Sequence, residues 1–346
     1  MKTYYEEVLM ITIDDLKKID ETITNEILEF AKNNNLLTDD VWPIYDGLYS
    51  PELYWNSPLR IMWILKEPYD DFDNETGKPI GGDWSITKDL FHTPSNFGNN
   101  KTGEMVIYST YGIINNKQWN EMEYIHKDPD MCKCLQKIAY INLSKMPAYT
   151  TSSDSSLWKK YDKWKEITLK QIKGYEPNVL IFGNTFKYFE NDLKETHLSN
   201  MSITQDKNMI NFYKNEERIL IDAWHPGKRF SNKEKESYVN SLVMEINNWY
   251  SSITKVNKTT KAKYLILTKL ACFLVSNRMK MKGSEVVSFL NTNNFQTSYG
   301  TSYQGGRGVY KLIRDCWHYY SNKNDKKTRE LIEKAFVNNQ GYPAFW

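Results

Sequence analysis

Four short apolar runs stand out along the chain: Arg60-Ile-Met-Trp-Ile-Leu-Lys-Glu-Pro-Tyr69, Ala139-Tyr-Ile-Asn-Leu-Ser144, Pro177-Asn-Val-Leu-Ile-Phe-Gly183 and Arg218-Ile-Leu-Ile-Asp-Ala-Trp-His-Pro-Gly227. Each is rich in β-branched or aromatic residues, has strand length, and stops on polar or small residues. Between them lie stretches with helical spacing. Thr12 to Leu36 places Leu16, Ile19, Ile23, Ile27 and Phe30 on one face behind a Thr12/Asp15 capping pair. Ser156 to Tyr175, Asn184 to about Lys194 and Ser231 to Trp249 read the same way, and Asp130 to Lys137 is a shorter helical turn. Strands alternating with helices predict an α/β fold with a parallel sheet covered on both faces. In such sheets ligands collect at the carboxyl ends of the strands. Glu67, Asn142 and His225 stand at three of those ends, an acid, an amide and an imidazole.

Between the predicted elements, Asp39 to Pro58 reads as a packed aromatic loop, and Tyr69 to Lys117 as a long polar, Gly/Asn-rich connection of the kind that carries function. A chain of 346 residues suggests two domains, and 40% hydrophobic with 14% aromatic residues can build a large core. The polar stretch 251–261 is the expected linker between an α/β domain at 1–250 and an all-α domain at 262–346. The latter is predicted as helices over Lys263 to Lys280, Ser284 to Leu290, Gly308 to Ser321 and Asp325 to Val337.

Charge sharpens that division. The net charge is only +2, yet from Ile253 to Trp346 there are 16 Lys+Arg against 5 Asp+Glu, so the preceding 252 residues are net acidic. A polyanion-binding module on a body of ordinary charge is the expectation, with a solvated lysine-rich surface as its alternative. No apolar stretch reaches the roughly 18 residues of a membrane span, and the first residues lack a signal-peptide pattern. Cys132, Cys134, Cys272 and Cys316 show neither zinc nor iron–sulfur spacing. They suggest reduced thiols in a cytoplasmic monomer without metal, cluster or other cofactor.

Taken in order, Glu67-Pro68-Tyr69 after a strand, Asn142 at the end of the next, and His225-Pro226-Gly227 with basic and apolar followers resemble the uracil-DNA glycosylase superfamily. The resemblance spans Arg60 to Asn248 and leaves both ends of the chain outside it. It implies a three-layer α/β/α sandwich around a central parallel four-stranded sheet. It also implies a monofunctional enzyme that flips a pyrimidine, uracil or a modified base of foreign DNA, and hydrolyses its N-glycosidic bond.

The resemblance assigns roles. Glu67 would balance positive charge on the sugar and position water, where the family more often has Asp. His225, as a neutral imidazole, would donate to the base carbonyl. Asn142 would read the base edge; the plainer alternative is an amide satisfying strand-end backbone groups. Gly81-Gly-Asp-Trp-Ser-Ile86 resembles the family's Gly-x-x-Phe-Ser segment, making Trp84 the stacking platform; a core role for Trp84 is the alternative, and Phe91 is the spare platform. Tyr69 stands where the family crowds the pyrimidine 5-position. After His225, Lys228 would contact phosphate while Phe230 or Arg229 enters the gap left by the flipped base.

Near the C-terminus, Tyr303-Gln-Gly-Gly-Arg-Gly-Val309 opens a helix, where free amides, Arg307 and, one turn on, Lys311 would suit phosphate. A tight turn is the alternative, and the Gly-Lys-Ser/Thr of a nucleotide-binding loop is missing. Two other function classes compete. One is a catalytically silent DNA-binding or protein-interaction module on the same fold. The other, a Ser or Cys hydrolase, finds no Gly-x-Ser-x-Gly elbow.

Overall fold

The computed structural model describes residues 13–198, 200–257, 260–292, 295, 297 and 301–344. The chain divides into two compact units, Thr12–Trp249 and a second containing Tyr250 onward. In the first, seven strands form one mixed sheet: β1 (Gly47–Leu48), β2 (Ile61–Leu65), β3 (Ala139–Asn142), β4 (Val179–Gly183), β5 (Ser202–Gln205), β6 (Asn211–Lys214) and β7 (Ile219–Ala223), in the order β1-β3-β2-β4-β7-β6-β5. The inner strands β3, β2, β4 and β7 run parallel; β1, β6 and β5 pair antiparallel at the edges. The sheet is therefore wider than the four parallel strands expected, because Gly47–Leu48 and the stretch before Arg218 extend it on both sides.

Every residue of β2, β3 and β4 is buried. Such uninterrupted burial needs cover on both faces, which explains why these runs read as continuous apolar segments rather than alternating ones. The helices of this unit are α1 (Ile13–Asn33), α2 (Lys101–Asn115), α3 (Asp154–Tyr175), α4 (Phe186–Leu193) and α5 (Asn232–Asn257) as far as Trp249. α1 packs on α3, where Phe30 meets Trp164 at 4.7 Å between ring centroids. α2 packs on β2, where Trp63 donates its indole N–H to Thr110 (3.0 Å). Lys235 of α5 pairs with Glu104 of α2.

α2 corrects the reading of Tyr69 to Lys117 as a long loop. Two glycines and several β-branched residues hide the helix in propensity terms, yet Met105, Val106, Ile107, Tyr108 and Ile113 are buried. Tertiary packing, together with the Asn100 cap on the Gly103 N–H (2.7 Å) and left-handed Asn116 at the far end, outweighs propensity. Asn184, expected to begin a helix, is instead left-handed (φ 57°), and α4 starts at Phe186.

The second unit contains α6 (Thr260–Ser276), α7 (Gly283–Thr292), α8 (Gly306–Asn322) and α9 (Lys326–Ala335). They enclose their own core, centred on Leu267, Leu274, Val286, Val309, Ile313 and Phe336. Asp325 caps α9 by accepting from the Thr328 N–H (3.0 Å). The unit is not all-α: β8 (Met281–Lys282) pairs parallel with β9 (Phe336–Val337). The segment read as a linker is helical over its first part, since α5 continues to Asn257; residues 258–259 lie outside those described.

Candidate functional site

Strand connections reverse direction beside β2: the chain passes from β2 to β3 on one side, then crosses back to β4 and on to β7 on the other. In open α/β sheets such a switch point, here at the carboxyl end of β2, is where ligands bind. Glu67 lies two residues beyond β2, Asn142 ends β3 opposite Leu65, and His225 follows β7. Adjacent strands lie about 4.8 Å apart, so β3 and β2 are direct neighbours while β2 and β7 stand roughly 10 Å apart. β4 runs between them and ends on Gly183.

Backbone contacts hold the strand ends together. The Leu143 N–H donates to Leu65 O (2.9 Å), and that of Ala148 to Pro68 O (2.9 Å). Gly183 closes β4 so tightly against the neighbouring turn that an added Cβ would meet Leu65 at 2.4 Å and Pro226 at 2.9 Å. The absence of a side chain there lets the His225–Pro226 turn settle over the strand end.

The Glu67 side chain is almost fully buried. Its Oε1 accepts from Lys160 Nζ (2.7 Å) and from the Ser152 hydroxyl, both contributed by α3 and the residues just before it. Its Oε2 has no partner. Asn142 is 2% exposed, and its Nδ2 has no partner either. Only five buried side-chain polar atoms among the described residues are orphaned this way, and two of them belong to the predicted site. Unsatisfied buried polar groups cost about 1–3 kcal/mol each, so each one kept in a fold calls for a physical reason.

Asn142 is not satisfying strand-end backbone groups, because other residues do that work. Its own N–H donates to Asp46 Oδ2 (2.7 Å), and its carbonyl accepts from Lys145 Nζ (2.8 Å). Lys145 is 0% exposed and also binds Asp46 and Gln171 Oε1 (2.8 Å), while Gln171 Nε2 returns a bond to Asp46 (2.8 Å). A closed ionic network thus clamps the Asn142 backbone and frees its side-chain amide for other use. Sequence reasoning missed Asp46, Lys145 and Gln171, which nothing but the fold brings together.

His225 is half-buried, and its Nδ1 accepts the Gly227 N–H (3.0 Å). A neutral ring so held carries its proton on Nε2, ready to donate. Burial, with Lys66 beside it, lowers the imidazole to about 4. In the unfolded chain the same group protonates near 6.5. The contribution of this ring to stability is therefore fully present above 6.5 and is lost as pH falls toward 4. Denaturant unfolding at pH 7 and pH 5 should show His225→Gln losing less stability on acidification than the parent, by up to about 2 kcal/mol. Equal losses would mean the ring is not held neutral.

The aromatic residues of the predicted site differ in their exposure and partners. Trp84 donates its indole N–H to Asp70 Oδ2 (2.8 Å), which also accepts from the Gly82 N–H, so its ring is fixed and partly accessible. Phe91 is fully buried against Phe97 and Tyr140, so its faces are taken up by core packing. Tyr69 is 56% exposed and stands out from the core. Beyond His225, Lys228 sits over Trp224 with its Nζ 4.0 Å from the ring centroid, and Phe230 packs on Tyr238 (5.1 Å). Phe230 is thus partly spent on packing; Arg229 is exposed, as is Trp224, which the sequence reading passed over.

Arg307 and Lys311 lie exposed on α8 in the second unit. All four cysteines are free, and no group of three or more His, Cys, Asp or Glu side chains among the described residues could hold a metal ion. No helix among them is long and apolar enough to cross a membrane. No protein-family model matches the chain, and no curated protein matches it.

Proposed function

We propose that the Thr12–Trp249 unit is a monofunctional DNA glycosylase that takes up a flipped pyrimidine at the carboxyl end of β2. The observation that carries this reading is the pair of orphaned atoms, an acceptor on Glu67 and a donor on Asn142, buried at neighbouring strand ends. A base needs an amide donor at its polar edge, and a sugar developing cationic charge needs a carboxylate oxygen with nothing else bound to it.

In this reading the base stacks on Trp84, a contact of about 1–3 kcal/mol that offsets part of the cost of unstacking it from the duplex. Asn142 Nδ2 donates to the base, and Nε2–H of neutral His225 donates to the carbonyl where negative charge accumulates. The bond from C1′ to the base nitrogen breaks with its electron pair leaving on the base. Glu67 Oε2 stabilises the sugar cation and orients a water. The water oxygen bonds to C1′, its proton ends on the departing base, and an abasic site remains. Lys160 and Ser152 hold Oε1, so the carboxylate cannot rotate away.

Charge suggests how the strand arrives. The hairpin after Tyr69 carries Asp70, Asp71, Asp73 and Glu75 and repels phosphate. Lys66 and the loop bearing Lys228 and Arg229 attract it, with exposed Arg229 the group left to enter the gap.

The test is incubation of the full chain with duplex and single-stranded DNA carrying uracil or modified cytosines, scoring alkali-labile abasic sites. Scission at one base class, absent in His225→Ala, is the expected result. A complete panel without a labile site, alongside retained DNA binding, would leave a silent binding module as the correct reading.

A further inference from the structure

The outward face of α8 has no role in the glycosylase reading. Val309, Leu312, Ile313 and Cys316 form its buried stripe, all 9% exposed or less. Arg307, Lys311 and Arg314, spaced one turn apart, are exposed on the opposite side together with His318. None of the three cations forms an ion pair among the described residues, although α9 next door pairs Lys326 with Glu330 and Arg329 with Glu333. A helix that only needed solubility would carry the same mixture.

Gly308 supplies an independent observation. Gly305, just before the helix, has φ 76° and needs to be glycine. Gly308 lies within the helix without a positive φ, and a Cβ added there would find nothing within 4 Å. Nothing in the fold requires a residue that weakens a helix at this position. A bare backbone between Arg307 and Lys311 allows the close approach of an outside partner.

We infer that α8 is the recognition helix of a double-helical DNA-binding module and lies in the major groove, with Arg307, Lys311 and Arg314 reaching phosphates or base edges past the bare Gly308. The occupant follows from shape and charge. The B-form major groove is about 12 Å wide and admits a helix, whereas the narrow major groove of A-form RNA does not. Single strands are held on exposed aromatic faces. The aromatic residues of α8, Tyr310, Trp317, Tyr319 and Tyr320, are half-buried instead. The assignment holds whatever chemistry Glu67 performs.

Fluorescence anisotropy of the full chain tests it, using a short duplex of unmodified DNA, its single strand and an RNA duplex, each across a salt series. Two variants are compared with the parent: Arg307→Ala/Lys311→Ala/Arg314→Ala, and Gly308→Ala. Duplex DNA should bind tightest. The triple variant should lose roughly tenfold or more in affinity, with the salt slope shallower by about 0.9 for each phosphate contact removed. Gly308→Ala should keep or raise the melting temperature yet bind DNA more weakly, a split that damaged folding cannot produce. Undiminished binding in either variant, or tighter binding to either of the other nucleic acids, would overturn the assignment.

Discussion

Glu67→Gln should abolish most turnover, by about 10²–10⁴-fold, while leaving DNA affinity nearly unchanged. The amide is almost isosteric, so Lys160 and Ser152 can still hold one end of the side chain. What disappears is the negative charge on Oε2, which stabilises the sugar cation and orients water in the proposed reaction. Single-turnover rates and binding constants measured on the same substrate separate the two effects. A variant that cleaves within threefold of the parent would remove Glu67 from the chemistry. A variant that loses binding and cleavage together would make it a structural acid whose ion pair with Lys160 is its whole purpose.

Lys145→Ala should be the most destabilising single change in the α/β unit, at about 3–5 kcal/mol. It leaves the 0%-exposed Asp46 carboxylate without its counter-ion, and Gln171 and the Asn142 carbonyl without a donor. Burial alone draws the Lys145 ammonium downward, and Asp46 opposes that. The charged pair persists because each oxygen and proton has a partner. For a unit of this size the loss corresponds to a melting-temperature drop of roughly 10 °C. The double variant Asp46→Leu/Lys145→Met should recover part of it, since replacing both charges removes the uncompensated one. A single variant that melts with the parent would show that the network is dispensable, and the clamp on Asn142 with it.

The sequence made the strand ends legible for a physical reason. Buried parallel strands are continuous apolar runs, so the polar residues at or just past the end of each run mark its carboxyl end, and Glu67, Asn142 and His225 stand there. Their supports were not legible. Ser152 and Lys160 reach Glu67 from 85 and 93 positions away, and Lys145 reaches Asp46 across 99. No local pattern encodes such pairings. α2 was hidden because its glycines and β-branched residues argue against a helix until the surface that buries them is known. The edge strand Gly47–Leu48 escaped notice because a two-residue segment carries too little periodicity. On α8, the alternation of buried and basic positions was readable as a helix, but the emptiness around Gly308 belongs to the structure alone.

The most direct test of the account is mass-spectrometric detection of the free base released from DNA carrying the susceptible pyrimidine, quantified beside the abasic sites formed. The account predicts one intact base for every abasic site, with both products formed about 10²–10⁴-fold more slowly by Glu67→Gln. DNA bound by the chain but yielding no free base from any pyrimidine tested would contradict it.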